Sequence, residues 1–176
     1  MLNNCKRKIK VIMLMAITLD GKIAKDSNHL TNWTGKKDKA LFVKITKKAK
    51  VIIMGSKTFD TIKKPLSMRK NVVLTRNILR KSDNKDLIFT DLSPERILYK
   101  LEKEGYTEAV LVGGSITNTL FAKKNLIDEI IITISPQTFG TGISLFSDKI
   151  ELNLDLIKCE NTGENLICLH YKVLPV

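Results

Sequence analysis

Val51-Ile52-Ile53-Met54-Gly55-Ser56-Lys57-Thr58 passes from apolar residues into a glycine, two hydroxyl side chains and a lysine. A continuous apolar run of this kind reads as a strand covered on both faces, the habit of parallel sheets. The residues after Gly55 open a helical segment. In such sheets ligands bind where strands end and helices begin. This one stretch therefore bears on both fold and site.

The same alternation extends in both directions. Further strand candidates are Ile9–Leu19, Asn71–Thr75, Leu87–Phe89, Ala109–Val112 and Ile127–Ile134. Between them, Lys36–Lys48 places Leu41 and Ile45 at helical spacing, with Ala49 just beyond. Ser93–Glu104 opens on a capping serine, with proline at the first helical position. It carries Ile97, Leu98 and Leu101 on one face and stops at Gly105. Ser115–Lys124 follows Gly113-Gly114. The last segments differ: Leu152–Cys159 and Asn165–Leu174 read as an antiparallel hairpin around Asn161-Thr162-Gly163. The expected architecture is α/β, a single domain over residues 1–176 with a mostly parallel sheet and an antiparallel edge. A chain of 176 residues is long enough to bury a real core.

Composition sets limits on partners. The net charge of +12 invites a nucleic-acid reading. The lysines are scattered, however, as in Lys36-Lys37, Lys47-Lys48, Lys63-Lys64 and Lys123-Lys124, and no basic stripe carries interleaved aromatics. A solvated lysine-rich surface is the favoured reading, so no nucleic-acid partner is expected. Cys5, Cys159 and Cys168 are too few for a disulfide framework and suggest a reducing compartment. Cys159 and Cys168 either face each other across the hairpin or are two small buried residues, and the second reading is favoured. With only His29 and His170 besides, no metal-ligand cluster is expected. Lys6-Arg7-Lys8 before Val11–Leu19 mimics a secretion signal, but Asp20-Gly21 closes the run where a small-residue cleavage site would stand. The run is also too short to span a bilayer. A cytoplasmic protein without membrane contact, monomer or homodimer, is expected.

Three junctions follow apolar strands: Gly55-Ser56-Lys57-Thr58, Thr75-Arg76 and Gly113-Gly114-Ser115. A helix N-terminus offers unpaired N–H groups and partial positive charge. Glycine lets a phosphate approach the backbone closely. Two such turns fit a dinucleotide pyrophosphate, and Arg76 suits a ribose 2′-phosphate, which would select NADPH. The alternative for each glycine is a tight turn or close helix packing, and neither G-x-G-x-x-G nor a Walker A sequence is present.

These residues resemble a known family. Val51 to Ile62, followed in register by Pro65-Leu66-Ser67-Met68-Arg69-Lys70-Asn71-Val72-Val73-Leu74-Thr75-Arg76, is similar to consecutive segments of dihydrofolate reductases. Val112-Gly113-Gly114-Ser115 resembles the family's glycine pair before its penultimate helix, and Ile130-Ile131-Ile132-Thr133 the strand after it. The resemblance covers nearly the whole chain and is weakest over Asn77–Asp91. Ala16-Ile17-Thr18-Leu19-Asp20-Gly21-Lys22-Ile23-Ala24 also resembles the reductase of riboflavin synthesis, which shares the fold and the use of NADPH. The resemblance implies a central, mostly parallel eight-stranded sheet with an antiparallel C-terminal hairpin and helices on both faces. It implies NADPH-dependent reduction of dihydrofolate to tetrahydrofolate by hydride transfer. The alternative is reduction of a ribosylamino-pyrimidine 5′-phosphate.

The resemblance also implies roles. Asp38, five positions after Trp33 and four before Phe42, matches the active-site acid. A carboxylate there accepts hydrogen bonds from the ring N–H and amino group of a pterin. Thr133 matches the threonine that supports this acid. Arg69 matches the residue gripping a folate carboxylate through its planar fork. Leu14, Phe42 and Ile62 complete the substrate pocket. Ala16, Ile23, Gly55, Ser56, Lys57, Thr58, Leu74, Thr75, Arg76, Val112, Gly113, Gly114, Ser115 and Ile116 are the implied NADPH contacts. The plain alternatives are an exposed helix acid beside Lys37 and Lys39, a solvated loop arginine beside Lys70, and a β-branched strand residue.

Four features depart from the dihydrofolate reductase pattern. The Lys25–Asn32 loop is longer and has Thr31-Asn32 where Met-Pro is usual. Asn118 replaces an aromatic hydroxyl. Ser56 replaces a frequent arginine, leaving Lys57 and Arg76 more of the phosphate binding. Pro136-Gln137-Thr138-Phe139-Gly140-Thr141-Gly142 resembles the riboflavin-pathway group.

Overall fold

A computed structural model describes residues 8–30 and 32–175. Cys5, Lys6-Arg7 and Thr31 lie outside the described residues. The elements run β1 (Lys10–Thr18), β2 (Lys22–Ala24), α1 (Gly35–Ala49), β3 (Val51–Gly55), α2 (Ser56–Ile62), β4 (Lys70–Leu74), β5 (Leu87–Thr90), α3 (Pro94–Lys103), β6 (Glu108–Leu111), α4 (Ser115–Ala122), β7 (Glu129–Ser135), β8 (Ile143–Ser144), β9 (Leu154–Gly163) and β10 (Leu166–Val173).

Eight strands form one sheet in the order β5-β4-β3-β6-β1-β7-β10-β9. All neighbours are parallel except β10, which runs antiparallel to both β7 and β9. The central strand shows why the runs read as continuously apolar. Along β1, Val11 and Met13 enter the core on one face, where Ile97, Leu98 and Leu101 of α3 and Phe121 of α4 pack. Ile12 and Leu14 enter the opposite core, with Phe59 of α2 and, half-buried, Phe42 and Ile45 of α1. Alternate side chains point to opposite faces, and helices cover both.

Three details differ from the sequence reading. A second, two-stranded sheet joins β2 to β8. Its strands span three and two residues, too few to leave a periodic pattern. The hairpin turn falls at Glu164-Asn165, not at Asn161–Gly163: both residues take positive φ, +57° and +59°, as a tight two-residue hairpin turn requires. Cys159 and Cys168 do not face each other. Cys168 pairs with Glu160 and Leu169 with Cys159, so the two thiols lie on opposite faces. Cys168 is buried and Cys159 exposed, and both are free.

Because β1, β3, β4, β6 and β7 run the same way, their C-terminal ends share one edge. Gly55, Thr75, Val112 and Thr133 are gathered there from distant parts of the chain.

Candidate active site

The two glycine turns meet. The Gly55 N–H donates to the Gly113 carbonyl at 2.8 Å. A Cβ at Gly55 would lie 2.7 Å from Thr117 Oγ1, and one at Gly114 would lie 3.3 Å from Thr58 Oγ1. Gly113 has φ +92° and would drive a Cβ to 3.0 Å from Met15 Cε. Close packing of the protein on itself thus requires these glycines, which was the plainer of the two sequence readings. The geometry also leaves the other open: α2 and α4 both start on a glycine that offers no side-chain cap to their first N–H groups. Ser56 and Thr58 are half-buried, Lys57 is exposed and Ser115 is buried. Ile116, on the first turn of α4, is an apolar side chain left 62% exposed.

At the end of β4, Leu74 is half-buried and Arg76 exposed. Thr75 donates its N–H to the Thr90 carbonyl at 2.9 Å. A shallow cavity there is lined by Thr75, Asn77, Ile78, Arg80, Phe89, Thr90 and Asp91. Arg80 was not foreseen. Its guanidinium lies 4.6 Å from the Phe89 ring centre and makes two hydrogen bonds to Asp60, at 2.7 and 3.1 Å. Arg80 belongs to the segment whose sequence carried least signal. A wider cavity of about 340 Å³ opens at the other end of the sheet, beside Ile127, Leu152 and Val173, and includes none of the expected site residues.

On the α1 side the expected substrate residues converge. Asp38 lies in the first turn of α1 and is half-buried. Cys168 stands directly opposite Thr133 across β10 and β7, and Ala16 opposite Thr133 across β1 and β7. Burial chiefly raises the Cys168 thiol above its ordinary value, with the charges of Glu160 and Asp38 adding to the effect. Thr133 is 1% exposed and its hydroxyl has no hydrogen-bond partner among the described residues. Leu14, Phe42 and Ile62 share one apolar cluster on this face. Ile23 lies on β2, half-buried.

Arg69 is not a solvated loop residue. It is 5% exposed. Its Nε donates to the Ser67 carbonyl at 3.0 Å and its Nη1 to Thr46 Oγ1, on α1, at 2.7 Å. Burial lowers its pKa from the ordinary guanidinium value. Its hydrogen bonds among the described residues go to neutral oxygens. A buried cation held in this way is costly without an anion, so the site suits an acidic group on a ligand.

Two loops are tied together beyond the end of β1. Asp20 accepts hydrogen bonds from Thr18 Oγ1 at 2.5 Å, the Gly140 N–H at 2.7 Å and the Phe139 N–H at 3.1 Å. The Thr18 bond, with those backbone bonds, holds its carboxyl below 3.8. The rings of His29, Trp33 and Phe139 pack together, Trp33 and Phe139 edge-on at 5.1 Å. Gln137 ties the loops again through a 3.1 Å bond to the Trp33 carbonyl. Sequence had marked Asp20 only as part of a turn; the loop N–H groups that donate to it lie about 120 residues away. Trp33 Nε1 and Asn118 Oδ1 are buried without partners among the described residues.

Known proteins share this fold. A dihydrofolate reductase of Buchnera aphidicola is 32% identical over 145 residues, covering 81% of this chain and 84% of that protein. A solved structure of a putative riboflavin biosynthesis protein from Shewanella sp. PV-4 superimposes with a TM-score of 0.79 at 24% identity, covering 95% of this chain and all of that one. A dihydrofolate reductase from Enterococcus faecalis, solved with NADP(H), gives a TM-score of 0.70 at 20% identity, covering 93% of this chain and 96% of that one. Family match, sequence relatives and fold define an oxidoreductase of the dihydrofolate reductase-like superfamily, the group shared with the riboflavin reductases. Within it, the chain belongs to the family described as the RibD C-terminal domain, whose model matches residues 9–168.

Proposed function

We propose that this protein uses NADPH to reduce dihydrofolate to tetrahydrofolate. The observation that carries the reading is Arg69, a buried guanidinium bonded to neutral oxygens on the face that also holds Asp38 and Thr133. A folate supplies what these groups lack: a carboxylate for the arginine fork and ring N–H donors for the acid.

In this reading Leu14, Phe42 and Ile62 form dry walls for the pterin. The Asp38 carboxylate accepts bonds from its ring N–H and amino group, fixing its orientation, while the Thr133 hydroxyl supports that carboxylate. The first-turn amides of α4 and the residues Gly55 to Thr58 hold the pyrophosphate, Arg76 binds the 2′-phosphate, and Ala16 and Ile23 frame the nicotinamide. NADPH supplies the hydride when bound. The protein contributes alignment and exclusion of water, Asp38 sets the local field, and the proton comes from solvent.

A second reading, reduction of a ribosylamino-pyrimidine 5′-phosphate, is favoured by the family match and by the Pro136–Gly142 loop. Arg69 would then serve the phosphate. One assay separates them: NADPH oxidation by the purified protein with each substrate in turn, methotrexate serving as competitor. Turnover with dihydrofolate that methotrexate blocks is expected. Turnover with the pyrimidine phosphate alone would replace the first reading with the second.

A further inference from the structure

We propose that Glu164 is a positioning residue for the reaction: from the β9–β10 turn it caps helix α1 and so sets where Asp38 stands. The inference rests on the reading above, in which Asp38 orients the substrate.

Helix α1 has no local cap. Thr34, the residue before it, has helical dihedrals (φ −84°, ψ −5°) and makes no side-chain capping bond. The acceptor comes from the far end of the chain. Glu164 Oε2 receives the Lys36 N–H at 3.0 Å and the Lys37 N–H at 3.2 Å, across sequence separations of 128 and 127 residues. A carboxylate at this end also complements the helix dipole.

The surroundings are shaped to this oxygen. Gly35 has φ +83°, and a Cβ there would fall 2.6 Å from Glu164 Oε2, so a side chain would displace the carboxylate. The same added Cβ would lie 3.8 Å from Leu166 Cδ1. Glu164 itself sits in the left-handed region, at the tight turn that starts β10. Gly35, Lys36 and Lys37 therefore all conform to one carboxylate, and Asp38 is the next residue.

The turn is continuous with the substrate site. Two residues into β10 stands Cys168, whose thiol senses the Asp38 charge and which lies opposite Thr133. Thr133 carries a buried hydroxyl without a partner among the described residues. One hairpin thus fixes both the strand that borders the pocket and the first turn of the helix that supplies its acid. Loss of the cap frees that turn to shift, and a displacement of about 1 Å at a reacting geometry costs on the order of a hundredfold in rate.

The test compares Glu164→Ala with Glu164→Gln, which keeps an acceptor oxygen. In the alanine variant turnover should fall at least about tenfold while NADPH affinity holds. Amide exchange at Lys36 and Lys37 should quicken about tenfold, and the Michaelis constant for the reducible substrate should rise more than that for NADPH. The glutamine variant should retain most of the turnover. A merely structural role would lower the melting temperature and leave the ratio of the two Michaelis constants unchanged, which would overturn the proposal. Unchanged turnover in Glu164→Ala would do the same. Should that variant fail to fold, exchange in the unaltered protein decides: fast exchange at Lys36 and Lys37 refutes the cap. If the unaltered protein reduces neither substrate, the functional reading fails, while amide exchange at Lys36 and Lys37 still judges the Glu164 cap.

Discussion

Helices α1 and α3 begin in opposite ways. The Ser93 side chain accepts the Arg96 N–H, and Pro94 follows at the first position. Three successive core side chains, Ile97, Leu98 and Leu101, are then almost wholly buried. Everything that starts α3 lies within a few residues, and its apolar face is spent on the core. Helix α1 borrows its acceptor from Glu164 and leaves Phe42 and Asp38 half-buried. The scaffold helix is thus specified locally, and the site helix by tertiary contact. An incompletely buried face is what a helix needs if a ligand is to finish its packing.

The contrast predicts that damage to the two helices separates activity from stability. Asp38→Asn should cut turnover on the order of a hundredfold or more, with NADPH affinity and melting temperature nearly unchanged. Full activity in that variant would remove Asp38 from the site. Leu98→Ala, on the buried face of α3, should lose about 2–5 kcal/mol in denaturant unfolding while kcat/KM of the folded fraction holds. A kinetic defect instead would show that α3 also shapes the site. Ser93→Ala should cost roughly 0.5–1 kcal/mol with no kinetic effect, since only one local cap is removed. Acid should act on the loop side. Asp20 is depressed in the folded protein, so its contribution is complete above its ordinary value of 3.8 and is lost as pH falls below it. Protection of the Phe139 and Gly140 amides, measured against their intrinsic exchange rates at each pH, should therefore fall below that pH. Protection that persists there would mean that other contacts hold the loop.

The same division decided what the sequence could reveal. Parallel strands buried on both faces leave unbroken apolar runs, so Val51–Met54 and Ile130–Ile132 were legible, as was the α3 cap. The converging ends of these strands placed Gly55 and Gly113 together correctly. Long-range pairings left no such trace. Glu164 is separated from its partners by the length of the fold, and β2 and β8 are too short to show a period. Arg69, beside Lys70 in a polar stretch, gave no sign of its burial. That burial depends on the Thr46 hydroxyl, which faces it only once α1 packs on the sheet. Arg80 needed Phe59, Phe89 and Asp60 from three elements before it had a place.

Arg69 has a last consequence. Its guanidinium is held at two of its nitrogens by Ser67 and Thr46. A free arginine side chain surrenders rotational freedom when it seizes a guest, a loss of about 2 kcal/mol. Here most of that freedom is surrendered while the chain collapses, before any guest arrives. Lysine at this position would keep the charge and lose the tether, arriving as a mobile point where a fixed plane had been.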